Sequence, residues 1–156
     1  LALAGVMALA LFTGCSDSKP KAEQVEEYFR YMMGRFYDYQ KDEVLDKKLE
    51  VIAQEFQPDW ITTSEYDTPA LTSEAEKIIR QQFAGSMTNG EVQFCWTEIR
   101  PDQNALVQAE SMNGRYIEFG TGGYYHANKR TLAFTTTTQK KDGHRYYLAL
   151  AMYWVN

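Results

Sequence analysis

The 156-residue chain is short of cysteine, of histidine and of positive charge. Its two histidines, His126 and His144, lie far apart, and no His/Cys/Asp/Glu spacing suggests a metal, so neither metal nor cofactor is expected. Sixteen basic residues against 21 acidic ones give a net charge of −5. That balance offers no electrostatic footprint for nucleic acid and no polybasic patch for anionic headgroups, which excludes a nucleic-acid partner. No Gly-x-Ser-x-Gly elbow is present. Gly120-Thr121-Gly122-Gly123 lacks the Gly-Lys-Ser/Thr ending of a phosphate loop, and no helix is expected after it, so it reads as a strand bend or bulge. The longest apolar stretch, Leu1 to Phe12, falls well short of the ~20 residues that span a bilayer.

That stretch is nevertheless informative. It carries no charge, has the length of a signal-peptide core, and closes on Leu11-Phe12-Thr13-Gly14-Cys15 before the polar run Ser16 to Lys21. The segment resembles the lipobox of bacterial lipoproteins. The resemblance implies a signal peptide over 1–14 whose start is missing, a lipidated Cys15 as the mature N-terminus, a tether over 15–21 and one domain over 22–156. Lipid on Cys15 makes the membrane a partner, because each buried methylene contributes ~0.8 kcal/mol. Ser16, in the position where Asp would mark inner-membrane retention, implies the outer membrane, facing the periplasm. The competing reading is a plain secretory leader with an incidental Cys15. With Cys15 acylated, Cys95 is the only remaining thiol and no intrachain disulfide can form. Inside Val92-Gln93-Phe94-Cys95-Trp96 it reads as a small buried hydrophobe.

Beyond the tether, Pro20 suits a helix start, and Val25, Phe29, Met32 and Phe36 recur on one helical face. After Asp42 as N-cap, Leu45, Leu49, Ile52 and Phe56 repeat that spacing until Pro58. Ser73-Glu74-Ala75-Glu76 is a capping box ahead of Ile78, Ile79 and Phe83, with Gly85 as a C-terminal stop. From Glu91 the pattern turns to alternation. Asn113-Gly114 and Asp142-Gly143 are hairpin signals, because a type I′ turn needs two residues that tolerate positive φ. A third reversal is expected at Asn128-Lys129.

Three helices followed by an antiparallel meander make an α+β pattern. Over roughly 22–156 this order resembles the nuclear-transport-factor-2-like (cystatin-like) fold. The resemblance implies three N-terminal helices packed on a strongly bent, cone-shaped antiparallel sheet of four to six strands.

Treating both Asn-Gly and Asp-Gly as two-residue loops pairs Met112 with Arg115, Ala109 with Glu118, Thr137 with Leu148 and Ala133 with Met152. Tyr146, Leu148, Leu150, Met152 and Trp154 then share one face of the last strand. Tyr147, Ala149, Ala151, Tyr153 and Val155 share the other. Residues 146–155 carry no charge, so both faces should be covered, one by helices and the other by a second subunit or partner. A central position inside one chain is the alternative. If the glycine-rich bend keeps the strand phase, Tyr116, Glu118, Tyr124, His126, Tyr146 and Trp154 line one hollow. It would suit a small apolar ligand, with Glu118 as its polar anchor. Two functions follow: a non-catalytic binding or assembly module of the envelope, or an isomerase/dehydratase-type enzyme with Glu118 as general base. The competing placement puts Glu118 and His126 at strand ends, facing water.

Overall fold

The computed structural model describes residues 19–84, 90–120, 127–138 and 143–154. The segment Leu11 to Cys15 expected to be a lipobox, and Gly85, Gly122, Gly123, Tyr124, His126, Asp142 and Val155, lie outside the described residues. The chain is α+β. Among the described residues there are four helices, a two-stranded sheet and a four-stranded antiparallel sheet.

The helices form where capping and periodicity place them. Helix α1 (Lys21–Met33) starts after Pro20, buries Val25 and Phe29, and ends at Gly34. The expected fourth member of its face, Phe36, lies beyond the helix and is 80% exposed. Helix α2 (Glu43–Glu55) is capped by Asp42, whose carboxylate accepts from the Val44 and Leu45 N–H groups at 2.8 and 3.1 Å. Its Leu45, Leu49 and Ile52 are buried, as is Phe56 just past its end. Pro58 opens a short 3-10 turn (Pro58–Trp60) that tucks Trp60 into the core. Helix α3 (Ser73–Gln82) is capped one residue earlier than the capping box predicts: the Thr72 hydroxyl accepts from the Ala75 N–H. A small hairpin, β1 (Ile61–Thr63) with β2 (Pro69–Leu71), sits between α2 and α3.

The Asn113-Gly114 reading is overturned. Residues before it form helix α4 (Ala105–Asn113), with the Asn104 side chain accepting from the Val107 N–H at 2.9 Å and Gly114 as C-cap. Met112 and Ala109 therefore pair with nothing across a hairpin. Asn-Gly also fits a helix end, and the helix-forming run Ala105 to Met112 decides between the two uses.

Strands β3 (Gly90–Glu98), β4 (Tyr116–Gly120), β5 (Lys129–Thr136) and β6 (Tyr146–Trp154) lie in the order β4-β3-β6-β5. The β5–β6 hairpin exists, with Thr135 opposite Leu148 and Ala133 opposite Leu150. This is two residues off the predicted register, and a two-residue shift leaves every side chain on its predicted face. The ladder ends where the Thr137 N–H reaches the Tyr146 carbonyl and the Thr137 hydroxyl takes the Tyr146 N–H, so the connection is longer than a two-residue loop. A hairpin between β4 and β5 at Asn128-Lys129 does not form, because those strands occupy opposite edges.

Strand β6 is central. On one face Leu148, Leu150 and Met152 join Val92, Phe94 and Trp96 in a core shared with α2 and α3. On the other, Tyr147, Ala149 and Ala151 join Cys95 in a second core with α1 and α4. Helices thus cover both faces, where the expected cone gathers all of them on one. The uncharged last strand is buried on both sides within the chain, which removes the reason for requiring a second subunit there.

Candidate functional site

Of the six residues expected in one hollow, the four described ones stand on opposite faces of the sheet. Glu118 pairs with Gln93, which pairs with Ala151; Tyr116 pairs with Cys95 and hence Ala149. Both therefore stand on the α1/α4 face. Tyr146 and Trp154 share the opposite face with Leu148 and Met152. There Tyr146 packs on Phe56 at 5.1 Å between ring centroids, and Lys129 Nζ lies 4.7 Å over the Trp154 ring. Tyr124 and His126 are among the residues not described. The physical reason is topological: the expected hollow takes the phase of β4 through β5, whereas β4 pairs with β3.

Tyr116 and Glu118 instead mark the β4 edge of the sheet, and both are exposed. Tyr153, buried beneath them, donates its hydroxyl to Glu118 Oε1 at 3.1 Å. Burial first, and then the charges of Glu118 and Glu91, push the Tyr153 phenol well above its ordinary pKa, which keeps it a donor. The Glu91 carboxyl, opposite Tyr153 in the ladder, is likewise raised, by burial and then by Glu118. Tyr153, Glu91 and Glu118 form one acidic patch with a phenol at its centre. The sequence offered a signal for Tyr153: a phenol in an otherwise apolar, doubly covered strand needs a hydrogen-bond acceptor.

Two clefts flank β4. One, of about 500 Å³, lies on the α1/α4 side and is lined by Met32, Met33, Tyr39, Gln93, Tyr116 and Glu118. The other, of about 840 Å³, lies on the β2/α3 side and includes Tyr66, Leu71, Arg80 and Phe119 together with Tyr116 and Glu118. In it, Arg80 bonds Glu76 at 2.7 Å and lies 5.1 Å over the Phe119 ring. Strand β4 itself ends at Gly120, whose φ of +148° and close approach to β3 leave no room for a side chain: a Cβ there would fall 2.4 Å from the Gly90 carbonyl oxygen.

The backbone of β4 is directed as well. The Trp96 N–H donates to the Arg115 carbonyl, which marks that pair as hydrogen-bonded. In an antiparallel ladder the bonded pairs alternate. Ile117 and Phe119 therefore face β3, while the N–H and C=O groups of Tyr116 and Glu118 point away from the sheet. Among the described residues nothing pairs with them.

Cys95 is fully buried between β4 and β6, and burial raises its thiol pKa, so it is inert packing. Among the described residues no group of three or more His, Cys, Asp or Glu could hold a metal ion, and no helix is long and apolar enough to cross a membrane. Comparison with protein-family models, with curated proteins and with solved structures finds nothing that matches this chain.

Proposed function

We propose that the protein is a non-catalytic binding module of the bacterial cell envelope, held at the periplasmic side of the outer membrane by lipid on Cys15 and recognising its partner at the β4 end of the sheet. The observation that carries the binding half is the setting of Glu118. A general base gains its strength from a desolvated pocket. Glu118 stands exposed on an edge strand, steadied by Tyr153 and flanked by open clefts, which suits an anion used for recognition. The anchor half is supported by Leu11 to Cys15 and the polar run that separates it from α1. Helices ahead of an antiparallel sheet support the nuclear-transport-factor-2-like relationship, from which α1 and α4, on the second face, depart.

Metabolic labelling with an alkyne analogue of palmitate tests the anchor, using the chain behind a full leader in a Gram-negative host. The expected result is a labelled protein in the outer-membrane fraction, and loss of both label and membrane association in Cys15→Ser. An unlabelled wild-type protein released as a soluble periplasmic species would sink the anchor.

A further inference from the structure

The outward N–H and C=O groups of Tyr116 and Glu118 form a template for a further strand. Three features single this edge out. The clefts lie on the two sides of the same strand and both reach Tyr116 and Glu118. Successive side chains of an added strand point alternately to opposite faces, so they would enter the two clefts in turn. The exposed anion Glu118 sits midway along β4, with Glu91 diagonal to it on the same face, in a chain of net charge −5.

We propose that β4 is a strand-addition site: an extended segment of a partner protein pairs with the outward backbone groups of Tyr116 and Glu118, sets a lysine or arginine beside the Glu118 carboxylate, and lodges alternate side chains in the two clefts. This rests on the binding-module reading and names the kind of partner it takes. Main-chain hydrogen bonds supply the affinity in such pairing, while the flanking pockets and the charge opposite supply the selectivity. The Met32, Met33 and Tyr39 cleft favours apolar or aromatic side chains. On the other side, Arg80 is already engaged by Glu76 and Phe119, leaving Tyr66 and Leu71 as the receiving surface.

The test uses the full acylated chain in detergent micelles and a short fluorescein-labelled peptide alternating valine with lysine. Two control peptides accompany it, one with glutamate replacing lysine and one N-methylated on alternate amides. Anisotropy reads binding, and hydrogen–deuterium exchange reads where it occurs. The expected result is binding of the lysine peptide, with exchange slowed over residues 115–120 and unchanged around Leu132. The glutamate peptide should bind about tenfold more weakly. Tyr116→Pro, which removes an outward N–H and keeps Glu118, should weaken the lysine peptide by about tenfold. Glu118→Lys should reverse the preference between the two peptides without touching the backbone.

Equal binding of the N-methylated peptide would overturn strand addition in favour of side-chain capture in a cleft. Slow exchange over 115–120 without peptide, deepening with protein concentration, would overturn it in favour of a second copy of this chain. No binding at millimolar peptide would also overturn it. The acyl label on Cys15, read in the same preparation, separates these failures from failure of the anchor.

Discussion

At the β5 edge, Gln40 donates its N–H to the Arg130 carbonyl and accepts from the Leu132 N–H, both at 3.0 Å, and Arg30 Nη1 donates to the Leu132 carbonyl at 2.9 Å. The two Gln40 bonds make a one-residue parallel bridge to Thr131, and the Arg130 guanidinium stacks 4.0 Å over Tyr37. At the β4 edge, the β1–β2 hairpin lies nearby, but the corresponding outward groups of Tyr116 and Glu118 pair with no described residue. A few loop residues suffice to close an edge, and among the described residues they do so on one side only. Unprotected edges invite pairing with other chains. Among the described residues the contrast singles out β4 as the edge whose outward backbone groups are unpaired, which is what the proposed strand addition uses.

Four substitutions break or sharpen this contrast. The largest effect belongs to Gly120→Ala, at the end of the open edge. Its Cβ would lie 2.4 Å from the Gly90 oxygen and 2.7 Å from the Glu91 Cα, on a backbone with φ +148°. A loss of about 3 kcal/mol is expected in denaturant unfolding. A loss under about 1 kcal/mol would mean that β4 is not pinned to β3 where Gly120 meets Gly90.

Next is Gln40→Pro, which removes the donor that closes the β5 edge. It should cost about 2 kcal/mol, because the Arg130 carbonyl loses its partner. Exchange at the Leu132 amide should quicken, making the two edges alike.

Tyr153→Phe should cost about 1 kcal/mol at neutral pH by deleting the hydrogen bond to Glu118. Its clearer mark is at alkaline pH. The folded state holds the Tyr153 proton more tightly than the unfolded chain does, so this contribution is complete below pH ~10 and is lost as pH rises beyond it. Wild-type stability should therefore fall above that pH. Tyr153→Phe should flatten the fall in part, because burial also raises the Tyr147 phenol. Identical slopes for the two proteins would show that Tyr153 is not the group responsible.

The smallest effect is Tyr116→Pro. Among the described residues nothing pairs with the Tyr116 N–H, so the change should stay within about 0.5 kcal/mol, against about 2 for the same residue at Gln40. Equal losses at both positions would erase the distinction between the edges.

Much of this was legible from local pattern. Asp42 caps α2, the Leu45-to-Phe56 face is buried, and both faces of β6 carry the residues that alternation assigns them. What local pattern could not supply was partnership between distant strands. Glu118 reaches Tyr153 because β3 intervenes between β4 and β6, and nothing near residue 118 in sequence encodes that order. The helical use of Asn113-Gly114 has a local cause. Asn104 is a good N-cap, and the residues between it and Gly114 are mostly helix formers, Val107 being their one β-branched member.

Strand β6 follows every other described element in sequence, yet it lies in the middle of the sheet, with Trp154 opposite Gly90 and Lys129 at once. While the chain emerges, β3 and β4 can meet around α4, but β5 has no strand to join. The two cores on either side of β6 both wait for residues 146–154. Loop-closure entropy for the β3–β6 ladder must be met before its hydrogen bonds repay it, which makes this a slow, late-closing fold. A chain arrested short of Tyr146 would hold its helices with only the β3–β4 pair to pack on, and would remain open to proteases.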